Sequence, residues 1–198
     1  IGDEEDASNH SEVGMPFNMF LSDSLYRCFN AAFSKEGRAN RQKRVTMPEW
    51  GFTLAKNLDE VVRCNHCQMD YYAHKSATCP WCDAENKIIR IRNKKECNGE
   101  MTLYWEFIHE QQEENIDIPL RVLAGFNGNK IDDSAFRLQY SNGKLVIDDL
   151  SGQYQFTMVL DGKEKPLYGQ TTVHIETKTK LLSVCKKSGI RYEIEIEV

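Results

Sequence analysis

The sequence lacks several things that would fix its class at once. No apolar run approaches the roughly 18 residues needed to cross a bilayer, so no membrane span is expected. The N-terminus opens on acids rather than on a basic stretch followed by an apolar one, unlike a secretory signal. No Walker A loop is present to cradle a nucleotide, and no internal repeat stands out. What remains is an ordinary composition of 40% hydrophobic and 28% charged residues over 198 positions, room for two or three small domains. A chain that begins at Ile1 rather than at methionine is expected to be a fragment or a processed product.

Charge is nearly balanced once its location is considered. Asp3, Glu4, Glu5, Asp6 and Glu12 stand in a leader without Lys or Arg, and setting them aside leaves 25 acidic against 25 basic residues. Residues 1–14 are therefore expected to be a disordered acidic leader. The net charge of −5 argues neither for nucleic acid nor for membrane. The seven cysteines are Cys28, Cys64, Cys67, Cys79, Cys82, Cys97 and Cys185. An odd count without a secretory signal argues against a disulfide framework and for a reducing, cytoplasmic compartment.

Periodicity divides the chain into a helical front and a strand-rich remainder. Ser22 can cap a helix carrying Leu25, Cys28, Phe29, Ala32 and Phe33, which Gly37 should end. After a basic loop from Arg38 to Arg44, Thr46-Met-Pro-Glu49 is a capping box with Pro48 in the first turn. The following helix is expected to bury Trp50, Leu54, Leu58 and Val61 or Val62. Beyond Cys82 the period becomes two: Ile89 and Ile91 alternate with Arg90 and Arg92, as on a half-buried strand. Phe136, Leu138 and Tyr140, then Leu145 and Ile147, flank a Ser141-Asn-Gly143 turn. Tyr154, Phe156, Met158 and Leu160 lead to a turn at Asp161-Gly162, and Val173, Ile175 and Thr177 repeat the pattern. Ile190, Tyr192, Ile194, Ile196 and Val198 form the last apolar face. Helices before strands imply separate domains: a leader at 1–14, a helical segment at 15–62, a metal ribbon at 63–97 and a β-rich domain at 98–198. The expected class is α+β and multidomain, with the β-rich part an antiparallel sandwich or barrel.

The chemistry concentrates in Cys64-x2-Cys67-x11-Cys79-x2-Cys82. A Cys-x2-Cys turn brings two sulfurs to one tetrahedral ion while backbone amides point at them, and two such turns complete a closed four-thiolate site. One structural Zn²⁺ is the expected occupant, since thiolates disfavour magnesium and calcium and a closed site has no place for a catalytic water. Iron in a rubredoxin-like site uses the same ligands and stays open. Met69, Tyr71, Tyr72 and Trp81 are expected to shield the metal. His66 and His74 read as surface residues, and Cys97 as a small core residue.

Two motifs ahead of the ribbon carry a resemblance. Leu25 to Phe33 follow Leu-x-x-x-Phe-x-x-Ala-Phe, and Arg44-Val-Thr-Met-Pro-Glu-Trp50 is similar to the Arg-Pro-[Ser/Thr]-x-x-Glu-Trp motif near the end of bacterial Ser/Thr kinase domains. Phe17–Leu58 thus resembles the last helices of a kinase C-terminal lobe. Kinase-like proteins of the tellurite-resistance-associated type carry this motif followed by a zinc ribbon ending Cys-Pro-Trp-Cys, as Cys79-Pro80-Trp81-Cys82 does here. The resemblance covers roughly residues 16–85. It implies that Arg44 pairs with the glutamate of the Ala-Pro-Glu motif, that Trp50 packs in the lobe and that Thr46 caps its last helix; Val45 stands where the family has proline. The chain has no Gly-rich loop, no Val-Ala-Ile-Lys lysine, no His-Arg-Asp loop and no Asp-Phe-Gly, all of which phosphoryl transfer requires.

The expected function is therefore non-catalytic: a ribbon and a β-rich module at the C-terminal end of such a protein, engaging a protein partner. Kinases of this sort carry accessory modules, a phosphothreonine-reading forkhead-associated sandwich among them, but its Gly-Arg and Ser/Asn pattern is not visible, and Gly125-Phe-Asn-Gly128 reads as a turn. His109 and His174 are isolated, and the Asp132-Asp133 and Asp148-Asp149 pairs read as turn markers. The alternative function is a nucleic-acid-binding ribbon using Lys87, Arg90, Arg92, Lys94 and Lys95 with Tyr71, Tyr72 and Trp81 as stacking surfaces. An enzyme site in the β-rich part is a third reading.

Overall fold

Side-chain caps set the limits of the front helices in the computed structural model, which describes residues 21–111, 115–125, 133–141, 144–150, 152–160, 163–167, 170–174 and 178–198. The acidic leader, Phe17, Phe126–Gly128, Asp132, Asn142, Gly143, Asp161, Gly162, Ile175 and Thr177 lie outside the described residues. Helix α1 spans Asp23–Phe33, with the Ser22 hydroxyl accepting from the Leu25 amide at 3.1 Å. It ends four residues before Gly37, because Ser34 adopts extended backbone and caps a second short helix, α2, Lys35–Ala39. Gly37 sits inside α2, where a Cβ would fall 2.0 Å from the Ala31 carbonyl oxygen; close helix contact, not termination, requires the glycine. The basic stretch is thus partly α2, followed by a 3₁₀ turn at Arg41–Lys43. Helix α3, Met47–Leu58, opens with the expected capping box: the Glu49 carboxylate accepts from the Thr46 amide at 2.7 Å.

The buried face of α3 is not the expected one. Phe52 and Ala55 pack on the strand-rich core, while Trp50, Thr53 and Asn57 meet α1 through Phe29, Cys28 and Ser22. Leu54 and Leu58 are 51% and 61% exposed, and Met47 80%. They lie on the third face of the helix, opposite neither neighbour.

From α3 the chain passes into β1 (Val61–Arg63) and its antiparallel partner β2 (Asp70–Tyr72). A long hairpin follows, β3 (Ile88–Cys97) and β4 (Glu100–Glu110). Its turn, Asn98-Gly99, has both residues at positive φ, 54° and 83°, the backbone twist a two-residue hairpin prefers. Then come β5 (Asn115–Pro119), the short α4 (Arg121–Ala124), β6 (Ser134–Ser141), β7 (Lys144–Asp149), β8 (Tyr154–Leu160), β9 (Lys163–Pro166), β10 (Gln170–His174), β11 (Lys178–Cys185) and β12 (Arg191–Glu197). The ten strands β3 to β12 pair into two antiparallel sheets around a shared core: one of six strands, β4-β3-β12-β11-β8-β9, and one of four, β10-β7-β6-β5. They share no strand and enclose a common core, Phe136 of one sheet meeting Phe156 of the other edge-on at 5.5 Å. The architecture is a sandwich, not a barrel. Phe136 and Leu138, Leu145 and Ile147, and Tyr192, Ile194 and Ile196 all point inward, as their alternation requires.

Front and sandwich are joined by buried polar bonds. Asp59, at the end of α3, accepts from Trp105 Nε1 at 2.8 Å and from Arg121 Nε at 2.9 Å, and its carbonyl accepts from the Ile108 amide at 2.7 Å. Burial pushes the Asp59 carboxyl above its ordinary range even against Arg121. Arg90 donates to the carbonyls of Ala73 at 2.7 Å and His74 at 3.1 Å, and to Glu106 at 3.0 Å. The boundary expected between 97 and 98 falls at the β3–β4 turn, and β3 pairs with β4 and β12 in the six-stranded sheet.

Glu60 lies in the same junction, 9% exposed. Burial first, and the Glu106 carboxylate second, raise it from 4.5 to about 7, against the opposing pull of Lys56 and Arg90. The folded state therefore binds more protons than the unfolded chain between these values, and stability falls as pH rises through that window. Glu60→Gln is expected to match the parent near pH 4 and to exceed it by about 1–2 kcal/mol at pH 8, a value reduced for residual solvent contact. Urea denaturation at the two pH values measures this; a variant less stable than the parent at pH 8 contradicts it.

Candidate metal centre

The two Cys-x2-Cys turns fold alike. The Cys64 amide donates to the Met69 carbonyl at 3.0 Å and the Gln68 amide to the Cys64 carbonyl at 2.9 Å. In the second turn Cys79 bonds Ala84 at 2.8 Å, and Asp83 bonds Cys79 at 3.0 Å. Each turn closes on a residue at positive φ, Gln68 at 61° and Asp83 at 58°, a conformation unfavourable for either side chain by about 1 kcal/mol. Both turns also aim amides at sulfur: His66 N lies 3.4 Å from Cys64 Sγ and Trp81 N lies 3.4 Å from Cys79 Sγ.

Together they bring all four sulfurs within 4.8 Å of one another. Cys64 and Cys82 are 3.7 Å apart and Cys67 and Cys79 3.6 Å. A disulfide requires about 2.05 Å, so these are thiol pairs. Four sulfurs at about 2.3 Å from one centre have tetrahedron edges of about 3.8 Å, close to the spacing of these two pairs. The site fits a four-coordinate metal ion.

Its electrostatics lead the same way. The Cys67 amide, with the His66 amide and Asn86, draws the Cys64 thiol down to about 6. The Ala84 amide favours a Cys82 thiolate, yet burial and the three neighbouring sulfurs outweigh it and push Cys82 up to about 12. Four thiolates cannot share this volume without a cation to neutralise them.

One residue that holds the pair together was not legible in the sequence. Asn86 accepts from the Asn65 amide at 3.0 Å in the first turn and donates to the Ala84 carbonyl at 3.2 Å in the second, within 3.1 Å of the Tyr71 hydroxyl. An Asn four residues beyond Cys82 reads as a loop residue, and nothing local signals its burial. Shielding also differs from expectation. Tyr71, Val62, Ala73 and Ile108 cover the sulfurs, whereas Met69 is exposed and Trp81 is 42% exposed. Ile108 reaches the site because β4 passes beneath it, a non-local contact. His66 is exposed as expected, His74 half-buried, and Cys97 exposed rather than in the core.

The basic cluster beyond the turns is largely paired. Arg92 meets Glu106 at 3.0 Å and Glu197 at 3.1 Å, and Lys94 meets Glu195 at 2.8 Å and Glu193 at 3.3 Å. Lys95 lies over the Tyr104 ring at 5.2 Å, and Lys87 lines a polar hollow with Glu85 and Glu197. Arg90 is not on the wet face at all, since the loop after β2 covers it.

The chain matches no family model, no curated protein and no solved structure. Its functional reading therefore rests on its own residues. Thr46 caps α3, Trp50 packs edge-on against Phe29 at 5.2 Å, and Arg44 spends its guanidinium on the carbonyls of Gly37 at 2.7 Å and Arg38 at 2.9 Å. His109 stacks on Phe107 at 6.1 Å. Among the described residues no helix is long and apolar enough to cross a membrane.

Proposed function

We propose that Cys64, Cys67, Cys79 and Cys82 form a zinc ribbon holding one structural Zn²⁺, and that the chain is the C-terminal region of a bacterial Ser/Thr kinase-like protein. In this reading ribbon and sandwich act as scaffold and protein-interaction module in a reducing cytoplasm, without catalysis. The sulfur spacing of 3.6–3.7 Å carries the metal half. Thiolates select zinc over hard cations, and the four ligands leave no open position for a reacting water.

The kinase half is supported by the uncovered face of α3. Met47, Gly51, Leu54 and Leu58 recur at four- and three-residue spacing and fall within about 60° of one another around the helix. Such a stripe is the seam by which a helix joins a larger helical body, as the last helix of a kinase lobe does. The two-sheet antiparallel sandwich is likewise an architecture suited to a forkhead-associated kind of accessory module, though without its phosphate-reading residues. The alternative, nucleic-acid binding, needs free cations, and those of Arg92 and Lys94 are spent on Glu106, Glu193, Glu195 and Glu197.

The test is the sequence encoded upstream of Ile1 in the parent gene, together with nucleotide binding by the chain itself. The proposal expects an upstream Gly-rich loop, a His-Arg-Asp loop and an Asp-Phe-Gly motif, and no change in the melting temperature of this chain on adding ATP and Mg²⁺. An upstream sequence of another kind, or ATP hydrolysis by this chain, overturns it.

A further inference from the structure

The four thiols of the metal centre are unevenly sheltered. Cys64 and Cys79 are fully buried, while Cys67 and Cys82, the second cysteine of each turn, remain partly exposed. Each partly exposed cysteine touches a buried one of the opposite turn. Cys67 Sγ lies 3.6 Å from Cys79 Sγ, and Cys82 Sγ lies 3.7 Å from Cys64 Sγ. A sulfur open to attack with a sheltered sulfur in contact is the arrangement of a redox-responsive dithiol, and the centre holds it twice. Elsewhere Cys28 meets the Thr53 hydroxyl at 3.4 Å, and Cys97 lies exposed beside the β3–β4 turn.

We propose that the four-thiolate centre is a peroxide-responsive switch, in which oxidation links Cys67 to Cys79 and Cys82 to Cys64 and releases the metal. This regulation rests on the metal reading given above and deepens it. Metal ligation keeps each cysteine deprotonated at neutral pH, and the thiolate is the nucleophile. The sulfur of Cys67 or Cys82 attacks one oxygen of hydrogen peroxide. The O–O bond breaks, a sulfenic acid forms and hydroxide leaves. The buried partner thiolate then attacks the sulfenic sulfur, an S–S bond forms and a second hydroxide departs. Together the two sulfurs lose two electrons, and the peroxide gains them. Contraction from 3.6 or 3.7 Å to about 2.05 Å pulls two corners out of the tetrahedron. The two thiolates left are too few for a closed site, so the ion departs. The turns, each closed on a residue at positive φ, Gln68 and Asp83, relax once it has gone. Transient, redox-sensing disulfides are the kind that a reducing compartment admits.

The experiment exposes the full chain, with its zinc bound, to hydrogen peroxide. A colorimetric zinc indicator reads metal release, and mass spectrometry of a digest maps the disulfides. Loss of the zinc is expected on the same time course as the Cys67–Cys79 and Cys64–Cys82 crosslinks appear, with faster amide exchange across residues 61–86. Dithiothreitol with added zinc should return metal content and exchange to their starting values. Cys97→Ser, which removes the exposed thiol outside the centre, should leave the rate of release unchanged. Zinc retained at peroxide concentrations that oxidise Cys97 overturns the switch and spares the metal reading. So does release accompanied by sulfinic or sulfonic acids without a crosslink, or by crosslinks within the turns, Cys64–Cys67 and Cys79–Cys82. A chain isolated without zinc overturns the metal reading itself, before any peroxide is added, and the switch with it.

Discussion

Cys79→Ser is expected to lose the metal and with it the ordered structure of both Cys-x2-Cys turns. Serine cannot supply a thiolate, and three sulfurs leave the ion open to water. The two turns bury no core of their own beyond Tyr71, Val62, Ala73 and Ile108, and each closes on a strained residue, Gln68 or Asp83. In the proposed reading metal binding, on the order of 10–16 kcal/mol in small thiolate sites, holds them. Hydrogen exchange should show amides between 61 and 86 becoming unprotected, while Phe136, Leu138 and Ile194 in the sandwich core remain protected. A chelator added to the parent chain should give the same pattern. Retained protection at Cys64 and Met69 in the variant would contradict the account.

Asp59→Ala is expected to destabilise the chain by about 3–5 kcal/mol, because it removes the buried carboxylate to which both the Arg121 guanidinium and the Trp105 indole donate. The side chain of Asp59 is 2% exposed and that of Arg121 12%, so water cannot readily replace the lost carboxylate. Asp59→Asn, which keeps an acceptor but no charge, should cost less. Urea denaturation followed at Trp105 gives both values. A cost under about 1 kcal/mol for the alanine, the level of an exposed ion pair, would mean that the end of α3 is not anchored through this residue.

These two substitutions mark what the sequence could and could not reveal. The cysteine spacing, the capping box at Thr46 and the alternation of Phe136, Leu138, Ile194 and Ile196 are local signals, and local rules read them correctly. The four sulfurs come together because each Cys-x2-Cys turn is a self-contained backbone unit. What escaped was set by packing between distant segments. Leu54 and Leu58 looked like the buried stripe of α3 because they are leucines. The face that meets the sandwich carries Phe52 and Ala55 instead, and a helix between two neighbours has two buried faces rather than one. Arg90 alternated with Ile89 and Ile91 and so read as solvent-facing. It does point away from the sandwich core, but the loop at Ala73 and His74 covers it and uses it as a hydrogen-bond donor. Asp59, Asn86 and Arg121 are polar residues whose partners lie 46, 21 and 62 positions away, beyond the reach of any periodicity.

The same non-local bonds change the meaning of the metal centre. A ribbon on a linker would hold its ion in isolation. Here Arg90, Asp59 and Ile108 tie the turns to β3, β4 and α3, so ordering of the turns and docking of α3 are expected to be coupled. In the proposed reading this coupling makes the two Cys-x2-Cys turns a brace between the helical front and the sandwich.

The most direct measurement is the metal content of the chain purified without added metal, by elemental analysis alongside native mass spectrometry. The account predicts one zinc per chain, bound with the loss of thiol protons and released only when Cys64, Cys67, Cys79 and Cys82 become reactive to a thiol reagent. One equivalent of iron, or a metal-free chain whose turns remain folded with four unreactive cysteines, would contradict it.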